Sequence, residues 1–94
     1  MADIQSVHTA SALIHTGEGW LSGLVVSLRD GTSGTITCYD NTASSGVKIF
    51  EAEVYSLHDP LIIFFTDRYA PRFATGLYVT LDANMIAVVW AVGK

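Results

Sequence analysis

The chain has 94 residues, and only 15% of them are charged, against about 25% in a typical soluble domain. This length allows one domain with a single core, and the net charge of −4 with five scattered basic residues excludes the basic stripe that follows nucleic-acid phosphates. A single cysteine excludes an intrachain disulfide and a cysteine metal cluster.

The amino terminus and the apolar runs of the chain indicate in which compartment the protein is made and whether it spans a membrane. No run reaches the roughly 18–20 apolar residues of a membrane span, and residues 1–6 lack the basic and apolar regions of a signal peptide. We therefore expect synthesis in the cytoplasm and no membrane partner. Because so few residues are charged, we also expect exposed apolar surface of the kind that contacts another protein.

The amino-terminal segment is rich in Ser, Thr and Ala, with a weak period of two. Residues 4–14 predict one or two short strands, and residues 1–14 are a candidate extended arm that reaches a neighbour. Residues 16–19 predict a turn, because two close glycines favour positive φ.

Residues 20–28 predict a strand, since apolar and β-branched side chains dominate the run. Simple alternation places Trp20 on the same side as Leu24, Val26 and Leu28. Gly23 lies in the middle of the run, where glycine indicates a bulge or the close approach of a large side chain.

The middle of the chain predicts two further strands. Residues 29–34 predict a hairpin loop with Asp30-Gly31 as its turn signal. Residues 35–40 predict the next strand, in which Cys38 is a small buried side chain. Residues 47–57 predict a long alternating strand that ends before Pro60, because proline cannot donate to a ladder.

The carboxyl-terminal third is the most strongly β-forming part of the sequence. Residues 61–65 predict a short buried strand. Residues 77–81 and 86–92 predict the two arms of a β-hairpin joined by the turn-forming residues 82–84. Both faces of the second arm are apolar, so we expect that strand to be covered on both sides.

These segments make about seven to eight strands at 8–12-residue spacing, with no amphipathic helix. Such spacing predicts an all-β domain over residues 1–94, a compact antiparallel β-sandwich or a jelly-roll-like fold. The larger aromatic side chains, apart from tyrosine, are predicted mostly to lie in the core: Trp20, Phe50, Phe64, Phe65, Phe73 and Trp90.

The polar residues form no recognisable catalytic or metal motif. His8, His15 and His58 lack zinc spacing and are predicted to be unrelated surface or interface histidines. The aspartates fall at strand ends and in loops, where they usually accept backbone N–H bonds. We predict no catalytic, metal-binding or cofactor-binding residue; an enzyme, as a rival class, should lose activity when all three histidines are replaced.

Three segments in order, residues 20–26, 34–41 and 73–81 followed by an apolar terminal strand, carry a resemblance. The chain resembles small structural proteins encoded in the head and tail gene clusters of tailed bacteriophages, about a hundred residues long and built as β-sandwiches. The match covers about three-quarters of the chain and consists of strand and turn patterns.

The resemblance implies a non-enzymatic part of the virion without a cofactor. A capsid cement or decoration protein fits best, located on the capsid surface, with the major capsid protein as partner and with self-association as a dimer or trimer. A tail, neck or fibre-base component is the alternative, and a carbohydrate-binding module with stacked aromatics is a further one. Candidate contact residues follow from the enrichment of Tyr and Arg at contact centres: Tyr39, Tyr55, Tyr69, Arg72 and Tyr78.

Overall fold

In a computed structural model that describes residues 2–55, 59–66 and 68–94, the chain folds into two antiparallel sheets. The all-β prediction is confirmed. The described residues contain nine strands rather than seven or eight, because a two-residue strand precedes the last two. In chain order they are β1 (Ala2–His8), β2 (Ala12–Thr16), β3 (Gly19–Leu28), β4 (Gly34–Asp40), β5 (Val47–Val54), β6 (Leu61–Phe64), β7 (Arg72–Phe73), β8 (Gly76–Leu81) and β9 (Met85–Gly93).

The two sheets have matching strand orders. The five-stranded sheet runs β1-β9-β3-β6, with β7 also pairing with β3, and the four-stranded sheet runs β2-β8-β4-β5. All the pairings are antiparallel. The chain therefore moves from one sheet to the other at most of its connections.

A single core fills the space between the sheets, because the alternating strands of both turn one apolar side inward. Its fully buried members include Leu21, Leu24, Ile36, Leu77 and Val89. Cys38 is also fully buried, which confirms the prediction of a small core side chain. Of the aromatics predicted as core, Phe73 is buried, while Phe50 and Phe65 pack edge to face at the core margin.

Residues 2–8 of the candidate arm form part of the chain's own five-stranded sheet. The strand β1 pairs with β9 from Ala2 opposite Gly93 to His8 opposite Ala87, and Ile4 packs against the core. The following strand, β2, belongs to the other sheet and pairs with β8.

The predicted hairpin of residues 77–81 and 86–92 is wrong. Both segments are strands, but β8 pairs with β2 and β4, whereas β9 pairs with β1 and β3 in the opposite sheet. Three extended residues span about 10 Å, which is also the distance between packed sheets. A three-residue connection can thus cross the core as well as turn within a sheet.

The predicted hairpin loop at residues 29–34 is wrong for the same reason, since β3 and β4 lie in different sheets. Its turn signal is present, with Gly31 at φ +77°. The Asn84 amide nitrogen donates to the carbonyl oxygens of Asp30 (2.9 Å) and Ser33 (3.0 Å), and the Arg29 N–H donates to the Asn84 carbonyl at 2.7 Å. The two connections that cross between the sheets, residues 29–33 and 82–84, are therefore hydrogen-bonded to each other.

The placement of Trp20 beside Leu24 is wrong, because a bulge changes the alternation of β3. The register against β9 shifts between Leu21 and Gly23, so that Leu21 and Leu24 both point into the core while Trp20 lies on the outer face. The prediction of a bulge or a close approach at Gly23 is confirmed on both counts. A Cβ there would lie 2.3 Å from Cδ1 of Phe64.

The prediction that residues 61–65 form a buried strand is wrong in its burial. The strand β6 lies at the edge of the five-stranded sheet and alternates half-buried and exposed residues. Ile62 and Phe64 are 59% and 62% exposed, whereas Leu61 packs against the core. An edge strand has one face on the core, so half of its apolar residues point outward.

The link between the crossing connections can be tested with Asn84→Asp. This change keeps the size of the side chain but replaces its donor nitrogen with a carboxylate oxygen facing two carbonyls. We expect the free energy of unfolding in urea to fall by about 1–2 kcal/mol. The matched control is Asn41→Asp, whose amide bonds to Ser45 within a single connection; it should cost less than about 1 kcal/mol, and equal costs would contradict the inter-connection role.

Candidate interaction surface

The outer face of the five-stranded sheet is mostly apolar. Strand register places its outward side chains in rows across β1, β9, β3 and β6 or β7. One row is Val7, Val88, Val25 and Ile62, and the next holds Trp90 and Phe64 with Gln5 and Gly23. The third row is Asp3, Val92, Trp20 and Arg72, and Ile86 continues β9 at the other end. We call these residues the apolar face.

The middle of the apolar face is built on Gly23. The missing side chain at this position lets the Phe64 ring lie over the backbone of β3. From there Phe64 contacts Trp90, with ring centroids 5.2 Å apart and the planes tilted by 51°. Two large rings thus form one continuous apolar surface where strand alternation alone would place a gap.

Only two charged side chains occur on the apolar face among the described strands, and both lie in one row. Asp3 is on β1 at one edge of the sheet, and Arg72 is on β7 at the opposite edge. The Arg72 guanidinium lies over the Trp20 ring, 4.7 Å from its centroid. This cation–π contact holds the positive group along the face.

The outer face of the four-stranded sheet has a different character. Thr37 donates a hydrogen bond from Oγ1 to Oε2 of Glu51 at 2.9 Å, and Lys48 forms an ion pair with the same oxygen at 3.2 Å. The hydrogen bond from Thr37, with Lys48 beside it, holds the pKa of Glu51 below its ordinary value. The same face also carries Tyr39, Tyr78 and the 45%-exposed Leu13, so it mixes polar and apolar side chains, whereas the outer face of the five-stranded sheet is mostly apolar.

The structure brings together two of the five predicted contact residues. Tyr39 and Tyr78 are register partners on the outer face of the four-stranded sheet, both half-buried. Arg72 belongs to the opposite outer face. Tyr55 follows β5 and Tyr69 lies between β6 and β7, both more than 70% exposed, and a hydrogen bond with Glu53 raises the pKa of Tyr55.

The contact prediction missed most of the apolar face. Trp20, Trp90 and Phe64 were predicted mostly as core, and that prediction is wrong: all three lie on the outer face, half-buried or exposed. A signal was present in the sequence, since the terminal strand is apolar on both faces. In the structure only its inner face is fully buried, and the two sheets account for all the described strands.

A hollow of about 380 Å³ opens at one end of the sandwich. Its lining includes Trp20, Arg72, Phe73, Glu18 and Lys94. An aromatic ring beside charged groups is the arrangement that a sugar site would need. However, the guanidinium of Arg72 covers one face of the Trp20 ring, so that face is closed to stacking on a sugar.

The two histidines that the structure describes belong to different sheets. His8 is on β1, where Nε2 is 2.7 Å from Oγ of Ser6. His15 is on β2 in the other sheet and packs against Phe73, and its Nε2 is buried without a hydrogen-bond partner among the described residues. His58 lies outside the described residues. Within the described ranges, no three His, Cys, Asp or Glu side chains are grouped to hold a metal ion.

Asp40 at the end of β4 organises the connection between β7 and β8. Its Oδ1 accepts backbone N–H groups from Thr75 (2.9 Å), Ala74 (3.0 Å) and Gly76 (3.4 Å). These bonds, that from Thr75 first, lower the pKa of the Asp40 carboxyl. This aspartate accepts backbone N–H bonds at a strand end, as predicted, and it fixes the wall of the hollow at Ala74.

Comparisons of the chain with protein-family models, with curated proteins and with solved structures gave no match. In the part of the chain that the structure describes, there is no helix long and apolar enough to cross a membrane.

The role of Asp40 gives a pH-dependent prediction. A carboxyl whose folded pKa is lowered contributes stability above its unfolded pKa and loses it as pH falls through the folded pKa. We expect the free energy of unfolding in urea at neutral pH to be about 1 kcal/mol lower for Asp40→Asn than for the unmodified protein. The gap to the unmodified protein should close below about pH 4; a gap independent of pH would contradict the charge-assisted bonds.

Cys38 provides a second prediction. Burial raises the pKa of its thiol to about 12, and the side chain is fully buried in the core. Since the thiolate is the reactive form, a soluble disulfide reagent at neutral pH should leave the folded chain unmodified and titrate one thiol in urea. Rapid modification without denaturant would contradict this placement.

Proposed function

We propose that the chain is a non-enzymatic structural protein of a tailed-phage virion, a capsid cement or decoration protein that binds and stabilises neighbouring major capsid proteins. The observation that carries this proposal is the apolar face. Its exposed and half-buried side chains include Val7, Ile62, Phe64 and Trp90. Contiguous apolar surface of this extent is typical of protein contacts, so the chain is best understood as a building block.

The strand order supports a jelly roll as the finer description of the fold. Apart from the short β7, eight strands form two four-stranded sheets, and the chain alternates between the sheets except at the β4–β5 connection. Jelly rolls of eight strands build viral capsid domains and also lectin domains. The fold is therefore compatible with the proposal, but a capsid role and a lectin role can be distinguished only by the residues on the surface.

The two outer faces allow two different contacts. A cement protein adds buried area across the joints between capsid proteins, and a specific interface typically buries about 800 Å² on each partner. The face with Tyr39 and Tyr78 is assigned to the major capsid protein, since tyrosines combine apolar area with a hydroxyl that can remain hydrated. Many copies on one particle would make the binding multivalent.

A tail, neck or fibre-base component would use the same surfaces on another part of the virion. The carbohydrate-binding alternative has one observation in its favour, the hollow beside Trp20, which Arg72 partly closes. The test separates the three: binding to heads, binding to tails, or saturable protection of a tryptophan by a sugar.

The experiment mixes the purified chain with particles that lack it and measures bound copies per particle and resistance to heat and chelator. We expect stoichiometric binding and greater resistance. Joint replacement of Tyr39 and Tyr78 with alanine should weaken binding by about 10-fold or more, as loss of contact-centre tyrosines does. Arg29→Ala, on an exposed connection, is the control and should bind normally.

Binding to tails alone would move the assignment to the alternative component. Absence of binding to every part of the particle would overturn the proposal.

A further inference from the structure

We propose that two copies of the chain pack through their apolar faces about a two-fold axis parallel to the strands. Pairs of sheets commonly pack face to face, about 10 Å apart and with their strands within about 30° of each other. The inference deepens the proposed function and rests on it for the role of the dimer, because it names a second copy as the occupant of this face.

The positions of the two charged residues select this axis. A two-fold axis parallel to the strands exchanges the β1 edge of the sheet with the β6–β7 edge and keeps each row opposite itself. Asp3 and Arg72 lie in the same row at opposite edges, so Asp3 of each copy meets Arg72 of the other. Two oppositely charged pairs then close one end of the interface.

The other in-plane axis does not produce this match. An axis perpendicular to the strands would place the row of Asp3 and Arg72 over the row of Ile86, at the far end of β9. The strand residues of that row, Ile86 and Ser27, carry no charge, so Asp3 and Arg72 would not face each other across the contact. Electrostatic complementarity therefore distinguishes the two arrangements.

The row of Val7, Val88, Val25 and Ile62 is apolar throughout and faces itself under the same axis. Val88 on β9 faces Val25 on the partner's β3, and Val7 on β1 faces Ile62 on the partner's β6. All four are apolar, and Val7 and Ile62 are the most exposed of them. The contact would cover the outer face of β9, on which no other sheet of the same chain packs.

The area is sufficient for a reversible dimer. Three rows across the width of four strands, with Ile86 and Ser27 as part of a fourth, make a footprint of about 20 by 25 Å, from a strand spacing of about 4.8 Å and a rise of about 3.4 Å per residue. Two such footprints bury about 1,000 Å² in total, which is the lower bound for a specific interface. We therefore expect a Kd in the range of about 1–100 µM.

The dimer leaves the outer faces of the two four-stranded sheets exposed on its opposite sides. Each copy then presents its Tyr39–Tyr78 pair outward, so that one dimer offers two identical surfaces. Engagement of both would increase avidity for a repeating partner. The two outer faces thus have separate roles, one for a second copy and one for the capsid protein.

The test measures the molar mass of the full chain by sedimentation equilibrium from about 1 to about 500 µM. We expect a monomer–dimer equilibrium that Val7→Asp weakens by about 30-fold or more, since each copy then brings an unpaired charge into the contact. The matched control is Val47→Asp. Val47 is also a valine on an edge strand, 68% exposed against 61% for Val7, but it belongs to the other sheet, and its replacement should leave the dimer intact.

Charge reversal tests the axis. Asp3→Arg and Arg72→Asp should each weaken the dimer by about 3–10-fold, and the two together should restore it, because opposite charges again face each other. Circular dichroism and urea unfolding of each variant exclude loss of the fold as the cause. A dimer whose affinity is not restored by the double change would overturn the axis.

Further outcomes separate this inference from the proposed function. A monomer at about 500 µM, a trimer, or a dimer that Val7→Asp leaves unchanged would overturn the inference. If such a protein still binds particles, the proposed function stands without it. If the dimer forms as described but binds no particle, the proposed function falls and the dimer remains.

Discussion

The structure depends on the requirement that every long strand turn its apolar side toward one shared core. In a chain of this length a single core is all that can be buried, so the two sheets must face each other and consecutive strands are divided between them. The connections at residues 29–33 and 82–84 then cross the core, and Asn84 bonds one to the other. With those crossings in place, β9 lies between β1 and β3, and β8 lies between β2 and β4.

The surfaces follow from this arrangement. In both sheets, the outward side chains are the residues that alternate along each strand with those facing the core. In the four-stranded sheet these include Thr37, Lys48 and Glu51, which bond to one another. In the five-stranded sheet they are mostly valine, isoleucine and aromatic side chains, with Asp3, Gln5 and Arg72 on its edge strands. The difference between the two faces is the structural basis for assigning them different partners.

A local irregularity shapes the apolar face. The bulge at Gly23 turns both Leu21 and Leu24 inward, leaves Trp20 outside and opens space for the Phe64 ring. Bulges and glycines within strands commonly mark such functional adjustments. Here the adjustment produces a continuous surface of aromatic and β-branched side chains in place of a gap at the centre of the sheet.

Part of this could be predicted from the sequence, because it depends on neighbouring residues. Period-two alternation and turn-forming clusters predict the strands, and Gly23 by itself predicts a bulge or the close approach of a large side chain. The low charge content predicts exposed apolar surface, and Asp40 at a strand end is in the usual position to accept backbone N–H bonds. The candidate tyrosines were chosen by residue type, and their role in contacts stays a prediction.

Only the tertiary structure decided which strands share a sheet. A connection of three residues is long enough either to turn within a sheet or to cross to the other. The local sequence of residues 82–84 is therefore compatible with both connections. The same holds for exposure: the outward sides of β6 and β9 are as apolar as a core, and nothing in their sequence says that no third layer follows. Strand pairing is a non-local interaction, and it decides which apolar side chains of this chain are buried and which remain at the surface.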